Sequence, residues 1–176
     1  MLKFRDRLTF DAARGEYRDG DIRYMMMRPD ALMGLFAELS PQARAEAFAA
    51  LARSVTRFGG RSARAYRAAG AATPAALLDT IAATAPQLGW GVWALRVDDD
   101  ALHLTVVNSP FAAGFGASAD PVCAAIAGML RAVGELVLGG DVAAAETVCA
   151  ATGAACCHFT ARRAAPPPAA AAAPSR

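Results

Sequence analysis

Apolar and polar positions along the chain follow two periods, and the places where one gives way to the other mark the elements. Residues 7–28 read as extended around two turn signals, Arg14-Gly15 and Asp19-Gly20-Asp21. Asp-Gly between extended runs is a hairpin signal, so 16–18 and 22–27 are predicted as paired strands, with 7–10 as a third. Tyr24, Met25, Met26 and Met27 form an unusual run. It reads as a strand buried on both faces, Met being an adaptable core filler, with a pliable pocket wall as the alternative. From Pro29 the period becomes helical. Pro29 suits a first turn, and Leu32, Leu35, Phe36 and Leu39 share one face. Ser40 is the predicted N-cap of the next helix, with Pro41 at its first position and Phe48, Leu51, Val55 and Phe58 inward. Gly59-Gly60 is predicted to interrupt it before a second segment over 61–69, and to allow close approach of another backbone. Thr73-Pro74 opens a further helix to about residue 85.

Alternation returns near residue 90. Residues 90–97 read as a strand with a bulge at Gly91, 98–100 as a polar turn, and 101–108 as the returning strand, in which Leu102, Leu104 and Val106 alternate with His103, Thr105 and Val107. Asp120 is the predicted N-cap of a helix that carries Val122, Ile126, Met129, Leu130, Val133 and Val137 inward and stops at Gly139-Gly140. Residues 142–150 and 156–162 form a last pair of strands around Gly153. Strands and helices are segregated, which predicts an α+β fold: an antiparallel sheet with helices packed on it, in a single domain over 1–163. Residues 164–176 are proline and alanine without periodicity, a composition expected to be disordered.

Composition narrows the function. The chain has 176 residues, enough for one domain with a real core. With 18 basic and 16 acidic residues the net charge is +2, which argues against an electrostatic nucleic-acid partner. Arg53, Arg57, Arg61, Arg64 and Arg67 recur every three or four positions; this basic stripe is a solvated helix face or, alternatively, a contact for an acidic partner. The charged start at Lys3, Arg5, Asp6 and Arg7 does not resemble a signal peptide, and no apolar window is long enough for a membrane span. Four cysteines in that context point to a cytoplasmic, reducing environment where thiols serve metals or packing.

All four cysteines fall late in the chain, and three of them join one carboxylate in the order Cys123, Glu146, Cys149, Cys157. Thiolates with one harder ligand suit a tetrahedral Zn²⁺; buried free thiols acting as small hydrophobes are the other reading. Glu146 and Cys149 are three positions apart on a predicted strand. They point to opposite faces unless a bulge, a turn or the strand's end intervenes. Cys156 neighbours Cys157 and is the expected bystander; His158 is the alternative fourth ligand. His103 reads as a surface or satisfied structural residue. No catalytic triad order, P-loop, dinucleotide fingerprint or zinc-protease motif is present.

Asn108-Ser109, Pro121-Val122-Cys123, Gly128, Glu135, Gly139-Gly140 and Glu146-x-x-Cys149-x-x-x-Gly153-x-x-x-Cys157-x-Phe159 resemble the 4-vinyl reductase domain family over roughly residues 85–162. Relatives include effector-binding domains of phenol- and xylene-sensing activators and a bacteriochlorophyll-biosynthesis protein named as a 4-vinyl reductase. The resemblance implies a plait-like fold similar to a vesicle-tethering subunit, a homodimer, and a pocket for small hydrophobic molecules. It implies a structural zinc on Cys123, Glu146, Cys149 and Cys157. Tyr24, Trp90, Trp93, Phe111 and Phe115 are the candidate pocket walls, with core packing as the plainer role. The function so implied is a stand-alone, zinc-stabilised binding domain for an aromatic or other hydrophobic ligand, as sensor or carrier, with a separate protein partner receiving its signal. A tetrapyrrole-pathway protein and an interaction scaffold are the alternatives, and no residue is assigned a catalytic role.

Overall fold

The computed structural model describes residues 3–98 and 100–164. Asp99 of the expected turn and all but the first residue of the expected tail lie outside them. After a one-turn helix α1 (Phe4–Arg7), strands β1 (Thr9–Asp11), β2 (Glu16–Asp19) and β3 (Ile22–Tyr24) form a three-stranded antiparallel sheet in that order. The two hairpins fall where the glycine turns place them; Gly15 and Gly20 take φ of 62° and 59°, where a Cβ is disfavoured.

The methionine run departs from expectation. Tyr24 pairs with Tyr17, and there the ladder ends. Met25, Met26 and Met27 leave the sheet and are 72%, 78% and 51% exposed, so they are neither strand nor core.

Three helices begin alike, with a hydroxyl residue capping a proline. In α3 (Pro41–Ala68) Ser40 accepts from the Ala43 amide; in α4 (Pro74–Thr84) Thr73 accepts from Ala76; in α5 (Pro110–Phe115) Ser109 accepts from Ala112. Helix α2 (Pro29–Ala37) lacks such a cap and buries Met33 and Phe36, while Leu35, expected inward, is 61% exposed. At its far end Arg44 donates to the carbonyls of Phe36, Ala37 and Leu39, satisfying groups that the helix leaves open.

Helix α3 is continuous through Gly59-Gly60. The pair does not break it; it admits α6 (Ala124–Val137). A Cβ on Gly59 would lie 2.6 Å from the Met129 methyl, one on Gly60 3.2 Å from the Ala132 Cβ, and one on Gly128 of α6 would collide with the Ala52 carbonyl. Thr56 seals the contact by donating to the Gly128 carbonyl at 2.9 Å. Phe58, expected inward, is 52% exposed, since the buried face of α3 runs instead through Gly60, Ala63 and Tyr66.

The second sheet holds β4 (Val92–Val97), β5 (Ala101–Val107), β6 (Val142–Val148) and β7 (Cys157–Arg163) in the antiparallel order β4-β5-β7-β6. Alternation sends Leu102, Leu104, Val106, Phe159 and Ala161 into the core beneath α6 and α4. The opposite face, with Val92, Val107 and His158, is open to solvent. The architecture is α+β with an antiparallel sheet and helices on one face, as expected.

Candidate metal centre and adjoining aromatic cluster

Four elements converge on one point. Cys123 is the N-cap of α6. It takes the place expected for Asp120 because its amide donates to Glu146 Oε2 at 2.8 Å and its carbonyl accepts from Ile126 and Ala127. Glu146 lies near the end of β6, and the β6–β7 register shifts between Glu146 and Val148. That irregularity, together with Cys149 standing one residue past the strand, turns Glu146 and Cys149 to the same side. A 3₁₀ turn (Ala150–Thr152) and Gly153 at φ 97° then fold the chain back so that Cys157 opens β7 beside them. Gly153 supplies the left-handed conformation the turn requires.

One donor atom from each of Cys123, Glu146, Cys149 and Cys157 lies within 4.8 Å of the others, so the group could hold a metal ion. Cys123 Sγ is 3.9 Å from Cys149 Sγ and 3.8 Å from Cys157 Sγ. All three thiols are buried. Ser109 Oγ sits 3.2 Å from Cys123 Sγ, and the Ala150 amide donates to Cys157 Sγ at 3.2 Å. Hydrogen bonding to Cys157 and burial push the Cys123 thiol far up; burial pushes the Cys149 thiol up to about 11. The same contact with Cys123 draws Cys157 down. Cys157 is thus the sulfur most ready to carry charge. Glu146 Oε1 is buried and has no hydrogen-bond partner. A carboxylate oxygen left unpaired among thiols is costly unless a cation meets it. The donor set fits one, since three sulfurs and one oxygen fill a tetrahedron.

Cys156 and His158 stay outside. Cys156 Sγ lies 3.4 Å from His158 Nε2, and His158 Nδ1 lies 3.1 Å from Thr105 Oγ1 on the open face of the sheet, opposite Cys157. His103 is on that face too, 2.8 Å from Asp98. A shallow concavity of about 550 Å³ runs over the two histidines.

The five aromatic candidates divide. Trp90, Trp93 and Phe111 form one cluster: Trp90 lies 6.3 Å from Trp93 and meets Phe111 edge-on at 5.2 Å, and Trp93 donates to the Trp90 carbonyl. Phe115 sits one turn further along α5, in a run with Phe48 and Phe36, and under the Arg44 guanidinium. Tyr24 belongs to neither; it packs edge-on against Phe4 at 5.2 Å, beside the three-stranded sheet. Helix α5 joins the two sites, since Ser109 caps it and touches Cys123, while Phe111 follows two residues later. Sequence reasoning names neither Ser109 as a cluster neighbour nor α5 as a helix. Ser-Pro at 109–110 repeats the cap-proline pattern of 40–41 and 73–74 and is the signal that could have found both.

Residues 102–163 match the family model of the 4-vinyl reductase domain. Across 90% of this chain and 86% of the other, the fold is similar to the phenol-responsive sensory domain of the transcription activator PoxR, solved with phenol, at TM-score 0.77 and 19% identity. A trafficking protein particle complex subunit 3 from Naegleria fowleri, covalently bound to palmitic acid, is similar over 76% of this chain and 93% of its own, at TM-score 0.53 and 15% identity. A vinyl-4-reductase family protein from Methanocaldococcus jannaschii matches over 81% of this chain and 98% of its own, at TM-score 0.48 and 14% identity. No curated protein matches. Among the described residues, no helix is long and apolar enough to cross a membrane. The chain therefore carries a 4-vinyl reductase domain at residues 102–163, of the family that its motifs resemble.

Proposed function

We propose that this protein is a binding module for a small aromatic or other hydrophobic molecule, acting as a sensor or carrier, with a structural zinc at Cys123, Glu146, Cys149 and Cys157. The observation that carries the reading is the likeness, over 90% of the chain, to a sensory domain solved with phenol. The Trp90, Trp93 and Phe111 cluster supports it, because aromatic edges and faces suit a flat apolar ligand. Phe115 and Tyr24 are the outlying candidates.

Zinc would act as a clip, not as a reagent. Three thiolates and Glu146 saturate the tetrahedron and leave no open position for substrate. They would tie the start of α6 to the last hairpin, and through Ser109 they would also fix the pitch of α5. The ligand is then read by Phe111 and the two tryptophans beside the clip. We further take residues 1–163 as one such domain, functioning as a cytoplasmic homodimer that passes its state to a separate protein.

Native mass spectrometry and calorimetry with phenol as probe test the reading. One phenol per chain, with binding weakened in Trp90→Ala, is the expected result. No phenol uptake, together with an absorbance shift on mixing with a porphyrin, points instead to a tetrapyrrole ligand. Silence with both probes removes the ligand-binding reading.

A further inference from the structure

The outward face of α3 presents Arg53, Arg57, Arg61, Arg64 and Arg67, all exposed. At 100° per residue they occupy a sector of about 120°, and at 1.5 Å per residue they extend over about 21 Å. Among the described residues, no carboxylate lies within ion-pair reach of any of the five, whereas the hairpin arginines, Arg96 and Arg131 each have at least one. The stripe is therefore an uncompensated local charge on a chain whose net charge is only +2.

A second feature coincides with it. Phe58 is 52% exposed, and the Arg57 and Arg61 guanidiniums lie 5.1 and 5.0 Å from its ring centre. An aromatic ring gripped by two guanidiniums is a preformed anchor of the kind found at interface centres. The platform is also rigid, because the opposite face of α3 is locked onto α6 through Gly59, Gly60 and Gly128.

We infer that this face is a docking surface for an acidic polypeptide segment of another protein. Planar guanidiniums match carboxylates in a bidentate fork, and spacings of three and four residues match glutamates on an opposing helix. The small exposed residues between them, Ser54, Ala65 and Ala68, leave room for that helix to approach. A membrane surface fits less well, since Phe58 is the one large exposed apolar side chain on the stripe and adsorption takes a broader apolar face. A nucleic acid fits less well because the chain as a whole is nearly neutral. The inference rests neither on the metal nor on the ligand cluster.

Fluorescence anisotropy of the full chain with a labelled helical peptide, carrying glutamates at four-residue spacing around a leucine, tests it. Arg57→Ala/Arg61→Ala/Arg64→Ala should weaken binding by about tenfold or more, and added salt should do the same to the wild type. Phe58→Ala should weaken it severalfold, with unchanged far-UV circular dichroism for every variant. Absence of peptide binding, equal binding by the triple variant, or tighter binding to phosphatidylserine vesicles or a DNA duplex would each overturn the proposal.

Discussion

The four-stranded sheet and the three-stranded sheet face one problem, fixing a small β element against helices, and meet it with different chemistry. In the four-stranded sheet a few residues do it: Cys123, Glu146, Cys149 and Cys157 bring α6, the end of β6 and the start of β7 to a single point. The three-stranded sheet depends on dispersed contacts. Phe4 meets Tyr24, the Arg7 guanidinium lies over Phe4 and Tyr66, and Arg7 pairs with Asp19. Glu16 gathers Arg14, Arg18 and Arg23. Concentrated contacts fail together when one member is lost; dispersed ones fail singly.

That difference sets the scale of each perturbation. Cys157→Ser should release the metal and lower the melting temperature by roughly 10 °C or more, read by calorimetry beside elemental analysis. Trp93→Ala empties a buried site, 6% exposed, and should cost about 3–5 kcal/mol in urea unfolding. Gly128→Ala drives a methyl into the Ala52 carbonyl and should cost about 1–3 kcal/mol by the same assay, with the α3–α6 pair forced apart. Met26→Ser, on the exposed run, should move stability by no more than about 0.5 kcal/mol. A large loss there would erase the contrast between the two regions.

Acidity sharpens the same contrast. The Cys123 and Cys149 thiols hold protons that a metal must displace. Metal affinity should therefore rise with pH and fall in acid, by up to roughly tenfold per pH unit for each proton displaced, in a chelator competition assay.

Much of the fold was legible because its signals are local. Asp-Gly turns placed the first hairpins, hydroxyl-proline caps placed α3 and α4, and alternation from Leu102 to Val107 placed β5. What escaped depends on partners. Gly59-Gly60 looks like a helix break in isolation, and only the presence of α6 makes those glycines part of a continuous helix. Asp120 has the chemistry of a cap, but Glu146, more than twenty residues on, determines where α6 begins. Residues 25–27 have strand composition but no strand to pair with. The same holds at the metal centre. Residue types and spacing named its four members, while the register shift that turns Glu146 and Cys149 together is a property of β6 against β7.

Mass spectrometry of the full chain from non-denaturing buffer tests most directly whether the three cysteines and Glu146 form a metal clip beside the binding site. One zinc per chain, lost in Cys149→Ser along with the cooperative melt of the last hairpin, is the predicted result. A metal-free chain, whose Cys149→Ser variant melts at the wild-type temperature, would contradict it.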